Sequence, residues 1–146
     1  FDCVVDSKGI LHVAHTSEHR VESFDSTGEL IGKWGKFGGS PADFCGCCNP
    51  TNLNLMPNGW VVTAEKGIPR LKVYDSQGVL KAMLSPEDLG LKEEHSYLTQ
   101  IRQASADSLP CHDGWPGMPV AIDSTGRLAV SLPGLKQIRM YELEPV

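Results

Sequence analysis

Arg20-Val21-Glu22-Ser23-Phe24-Asp25-Ser26-Thr27-Gly28 and Arg70-Leu71-Lys72-Val73-Tyr74-Asp75-Ser76-Gln77-Gly78 are one pattern written twice. Each is a short run containing β-branched or aromatic residues that stops at Asp-x-x-Gly. The stop has a physical cause. The Asp carboxylate accepts backbone N–H groups a few residues on, and the Gly takes the positive φ that closes a hairpin. Both copies therefore read as a strand entering a tight turn.

Working outward, each copy has the same neighbours. Upstream lie Ile10-Leu11-His12-Val13-Ala14-His15 and Trp60-Val61-Val62-Thr63-Ala64, each read as a strand. Before those come Cys3-Val4-Val5-Asp6, closed by Ser7-Lys8-Gly9, and Leu53-Asn54-Leu55-Met56, closed by Pro57-Asn58-Gly59. Downstream, Glu29-Leu30-Ile31-Gly32-Lys33-Trp34 matches Val79-Leu80-Lys81-Ala82-Met83. Gly9 to Gly28 is 19 residues, and so is Gly59 to Gly78. A third copy opens at Val120-Ala121-Ile122-Asp123-Ser124-Thr125-Gly126 and continues through Arg127-Leu128-Ala129-Val130-Ser131 and Gln137-Ile138-Arg139-Met140-Tyr141.

The copies are spaced by 50 and then 67 residues. Four short strands per repeat of roughly 40–50 residues is the sequence form of a propeller blade. The expected fold is all-β, with about three four-stranded blades at residues 1–44, 45–84 and 119–146. Residues 85–118 form an insert, whose first part, 86–95, suits a short helix or a turn.

Composition narrows the function classes. The chain has 146 residues and a net charge of −5, so no basic surface points to nucleic acid. No apolar run approaches the roughly 18 residues that span a bilayer. No secretory leader pattern opens the chain, and Phe1 already reads as strand, so a processed product or a piece of a longer chain is expected. Gly-x-Ser-x-Gly, phosphate-loop, His-Glu-x-x-His and EF-hand patterns are absent.

Three of the five cysteines fall within four positions, in Phe44-Cys45-Gly46-Cys47-Cys48-Asn49-Pro50. This stretch joins the last strand of the first repeat to the first strand of the second. Cys45, Cys47 and Cys48 with Cys111 or His112 have the donor types for zinc or an iron–sulfur cluster. The same cysteines suit disulfides that pin a Gly-rich joint, or a redox pair. The structural staple is the preferred reading. Covalent haem is disfavoured because Asn49, not His, follows Cys48.

Other candidates are charged or aromatic. Glu65-Lys66 and Arg70 frame a turn and suit an anion contact near a central channel. Arg20 is the matching residue of the first repeat, and Lys136 lies near that position in the third. Salt bridges between blades are the preferred reading of this set. His12 and His15, three apart on one strand, face opposite sides. His19, His95 and His112 fall in turns or the insert. Trp34 and Trp60 read as packing residues, and Trp115 as an exposed contact for a partner or ligand.

The Val-x-x-Asp-x-x-Gly opening, the Phe/Tyr-Asp-x-x-Gly turn and the close Trp34-Gly35-Lys36-Phe37-Gly38-Gly39 resemble the NHL-repeat family of β-propellers. With the Cys-Gly-Cys-Cys-Asn-Pro joint, the chain resembles a bacterial subfamily of it. The resemblance implies a ring of about six blades, of which three are present, and hence a protein partner or second copy that completes it. It also implies an exported, periplasmic or extracellular setting. The leading functional expectation is a non-catalytic binding or scaffold module. The alternatives are a metal-dependent lyase or hydrolase with ligands among His95, His112, Cys111 and the cluster, and a redox or electron-transfer subunit holding a metal centre there.

Overall fold

The computed structural model describes residues 2–46, 48–66, 68–91 and 117–143. Eleven strands form three antiparallel sheets among these residues. The first holds β1 (Cys3–Val5), β2 (Leu11–His15), β3 (Arg20–Phe24) and β4 (Leu30–Trp34). The second holds β5 (Asn52–Leu55), β6 (Val61–Glu65), β7 (Arg70–Tyr74) and β8 (Leu80–Leu84). The third holds β9 (Val120–Ile122), β10 (Leu128–Leu132) and β11 (Gln137–Tyr141). Strands follow chain order across each sheet, and β1, β5 and β9 are neighbours from sheet to sheet. The fold is an all-β array of propeller blades, the third with three strands among the described residues.

The Asp-x-x-Gly turns work as the sequence predicts, four times over. Asp6 Oδ1 accepts the N–H groups of Lys8 and Ile10 at 2.8 and 2.9 Å. Asp25 does the same for Thr27 and Glu29, Asp75 for Gln77 and Val79, and Asp123 for Thr125 and Arg127. The following glycines, Gly9, Gly28, Gly78 and Gly126, all have φ between 79° and 89°. Residues 85–91 close as turns rather than a helix, with Leu89 N–H donating to Ser85 O.

Strand register aligns the blades residue by residue. His15 faces Arg20, Glu65 faces Arg70, and Leu132 faces Gln137 at the same place in each sheet. Because side chains alternate, each sheet has two distinct faces. In the second sheet Val62, Ala64, Leu71 and Val73 pack on Leu128, Val130 and Leu132 of the third, closed over by Leu89, Leu91 and Met118. Its opposite face carries Val61, Thr63, Glu65, Arg70, Lys72 and Tyr74. That face looks toward the first sheet, where Ala14 and Val61 share a core with Leu53 and Trp34. Thus the forward face of one blade always meets the rear face of the next. Trp34 and Trp60 both pack against cores, as their sequence positions suggest.

A candidate functional site at the seam of the first two blades

The rear face of the second blade carries an unusual concentration of buried charge. Glu65 and Lys72 are fully buried and Arg70 nearly so. They sit together because Glu65 ends β6, Arg70 starts β7 opposite it, and Lys72 lies two residues further on the same face. Arg70 Nη2 donates to Glu65 Oε2 at 2.8 Å. Lys72 Nζ lies 2.6 Å from Glu65 Oε1. Two cations thus share the one fully buried carboxylate, and the Asp43 carboxylate adds a further negative charge to the field at Lys72.

The same face donates to main-chain carbonyls of the segment joining the blades. Lys72 Nζ donates to Asp43 O, and Arg70 Nη2 reaches the same oxygen at 3.4 Å. Tyr74 Oη donates to Ala42 O at 3.0 Å. The carboxylate takes the complementary role, with Glu65 Oε2 accepting Cys45 N–H at 3.2 Å. Phe44, between these contacts, is buried against Val21, Tyr74 and Trp34, and Lys72 Nζ lies 5.0 Å from its ring centre. Residues 42–45 are thus held by both polar groups and an aromatic anchor. Arg70 Nε and Thr63 Oγ1 in the same seam make no hydrogen bond among the described residues.

Burial acts on the protonation of this cluster. Desolvation pushes the Lys72 ammonium below its ordinary value, and the Glu65 charge opposes the shift. Desolvation, aided by the same carboxylate, pushes the Tyr74 phenol far above its ordinary 10.0.

The rest of the link is clamped by Asn49, which is almost fully buried. Its Nδ2 donates to Cys45 O and, at 2.8 Å, to Lys66 O, while Oδ1 accepts Lys66 N–H at 2.9 Å. His19 Nε2 meets Gly46 O at 2.7 Å from the first blade. The Cys-rich joint is therefore tied to the 16–19 turn on one side and the 65–70 turn on the other.

Glu65 and Arg70 come together, but inside the seam rather than lining a channel, because they sit on the two middle strands of a sheet covered on both faces. Lys66 contributes its backbone to the Asn49 clamp. Arg20 lies at the matching place in the first blade and pairs with Glu22 and Glu18 at 2.6 and 3.0 Å. Its ion pairs and those of Arg70 stay within one blade instead of bridging blades. At the third matching place stands Gln137, with Lys136 one residue earlier. His12 and His15 do face opposite ways, toward Ser23 and Glu22 respectively.

No disulfide joins any two of the described cysteines, Cys3, Cys45 and Cys48. Among the described residues no group of three or more His, Cys, Asp or Glu side chains is placed to hold a metal ion. Cys47, Cys111, His112, His95 and Trp115 lie outside the described residues. No helix among the described residues is long and apolar enough to cross a membrane. The residues that sequence reasoning passed over are Lys72, Tyr74 and Asn49. Lys72 carried a usable signal, a lysine amid apolar residues in a strand whose neighbours are all core.

No family model and no curated protein matches the chain. Among solved structures it is similar to selenomethionine-substituted virginiamycin B lyase from Staphylococcus aureus, with a TM-score of 0.53 and 14% identity. The match covers 99% of this chain and 41% of that one, so the chain spans less than half the length of its structural relative. The likeness supports the propeller fold and nothing finer.

Proposed function

We propose that the chain is an NHL-type propeller segment that acts as a protein-binding module, and that what it binds is another propeller-type sheet. The observation that carries this reading is the forward face of the third blade. Ile138 and Met140 are 74% and 59% exposed there. The residues at the same places in the second blade, Leu71 and Val73, are 1% and 3% exposed, because the third blade covers them. Val21, the counterpart of Ile138 in the first blade, is wholly buried. Apolar side chains presented where the repeat elsewhere buries them mark a contact surface.

The complementary surface is the rear face of the first blade, with Leu11, Val13 and Phe24 beside the Arg20–Glu22–His15 cluster. Forward face against rear face is the contact used twice within the chain. Two copies meeting this way at both ends close a symmetric ring. The same logic accommodates further blades on a longer chain. The setting we propose is periplasmic or extracellular, following the NHL resemblance. Sedimentation velocity tests the binding reading. The chain should associate, and the double variant Ile138→Lys, Met140→Lys should sediment as a single chain with its β-structure intact. Association that is unchanged in the double variant contradicts the proposal.

A further inference from the structure

A cavity of about 470 Å³ opens between the first two blades, bordered by the β1–β2 and β5–β6 hairpin turns. These turns lie at the opposite ends of their strands from the 16–19 and 65–70 turns that hold the Cys-rich link. The cavity therefore opens at the other end of the blades, with Trp34 standing between it and the Phe44–Tyr74 part of the seam. Its size falls in the range of small-molecule sites.

Its wall is apolar on one side, formed by Trp34, Leu55 and Val61. The other side carries hydrogen-bond donors. Lys8 makes no ion pair among the described residues, so its ammonium is the unneutralised charge at the rim. Asn58 spends its Oδ1 on Trp60 N–H, which leaves the amide donors of its side chain for a ligand. Ser76 Oγ accepts from Gln77 and keeps its own O–H to donate. The one carboxylate in the lining, Asp6, is already engaged. Its Oδ1 accepts two turn N–H groups, and its Oδ2 lies 3.5 Å from His12 Nε2. His12 is fixed from its other side by Ser23 Oγ at 3.0 Å.

We infer that this cavity is a binding site for a small organic carboxylate with an apolar body. The apolar wall takes the body, and the donors at the rim, led by Lys8, take the carboxylate. Lys8, Asn58 and Ser76 supply a cation and donors at the exposed rim, while the anion in the lining is committed to its own turn and to His12.

The test uses 4-phenylbutanoate and its neutral amide, 4-phenylbutanamide, titrated into the isotopically labelled chain and followed by NMR. The acid should produce saturable shifts at the backbone amides of Lys8 and Asn58 and at the Trp34 indole. The amide should bind about tenfold more weakly, since a charge-assisted contact is lost. Lys8→Gln, an exposed turn substitution, should reduce binding of the acid to the level of the amide. Equal affinity for acid and amide overturns the inference, as does undiminished binding of the acid by the Lys8→Gln chain. Absence of saturable shifts with the acid at millimolar concentration also overturns it.

Discussion

Replacing Glu65 by Gln removes one negative charge and almost no volume from the seam between the first two blades. Arg70 and Lys72 then face each other in a buried site with no carboxylate between them. Their remaining acceptors are neutral, the amide oxygen of the new side chain and the carbonyl Asp43 O. Breaking a buried ion pair from one side costs about 3–5 kcal/mol, because the partner charge stays desolvated. Here two partners are stranded, so the upper part of that range applies. With a urea dependence of about 2 kcal/mol per molar, the unfolding midpoint should fall by roughly 2 M. Urea titration followed by tryptophan fluorescence reads this directly, since Trp34 packs on Tyr74 with ring centres 4.5 Å apart. A triple variant, Glu65→Leu, Arg70→Met, Lys72→Leu, removes all three charges and should recover much of the loss, because apolar replacements of buried ion clusters are near neutral. A Glu65→Gln effect below about 1 kcal/mol would refute the reasoning, since that is the size of an exposed ion pair. So would a triple variant as unstable as the single one.

Three further outcomes are expected. Tyr74 should stay un-ionised in the folded chain while the pH passes 10.0, its ordinary value. A folded pKa raised above the unfolded one gives stability that is complete below 10.0 and declines as the pH rises beyond it. Absorbance at about 295 nm should therefore show a late phenolate step, coincident with unfolding, that Tyr74→Phe abolishes; ionisation of all tyrosines in one step near their ordinary value would contradict it. Asn49→Ala should destabilise by about 2–3 kcal/mol, because it removes three hydrogen bonds to the Cys45 and Lys66 backbone at an almost fully buried position, and hydrogen exchange at Lys66 N–H should accelerate. Gly9→Ala and Gly78→Ala share a positive φ, but only the second places a Cβ against a side chain, 2.5 Å from Trp34 Cγ. The first should cost about 1 kcal/mol and the second clearly more, and equal thermal shifts would show that the Trp34 contact is not rigid.

The strands were legible because hairpin turns announce themselves locally. Asp25 and Gly28, or Asp75 and Gly78, set a turn by contacts within four residues, so no tertiary knowledge is needed. The seam was less legible because its partners are distant in sequence. Glu65, Lys72 and Tyr74 acquire their roles from Ala42, Asp43 and Cys45, which only the blade-to-blade packing brings near. Arg70 was visible as a charged residue at a turn, yet its burial depends on Phe44 and the link covering it. The Cys-rich stretch drew notice for its thiols. Among the described residues its backbone is also held: Cys45 contributes an N–H and a C=O, and Gly46 a C=O. Side-chain chemistry dominates sequence patterns, and backbone hydrogen bonds of this kind leave no mark in them. The exposed forward face of the third blade was foreseeable in outline from the count of three repeats, but the identities Ile138 and Met140 required the β10–β11 register.

Small-angle X-ray scattering of the purified chain tests the central claim most directly, because it reports mass and shape together. Association of forward and rear sheet faces predicts a particle of twice the 15.9 kDa chain mass, with a radius of gyration of about 19 Å for a compact body of that length. A particle of one chain mass with a radius near 15 Å, unchanged up to millimolar concentration, would contradict it.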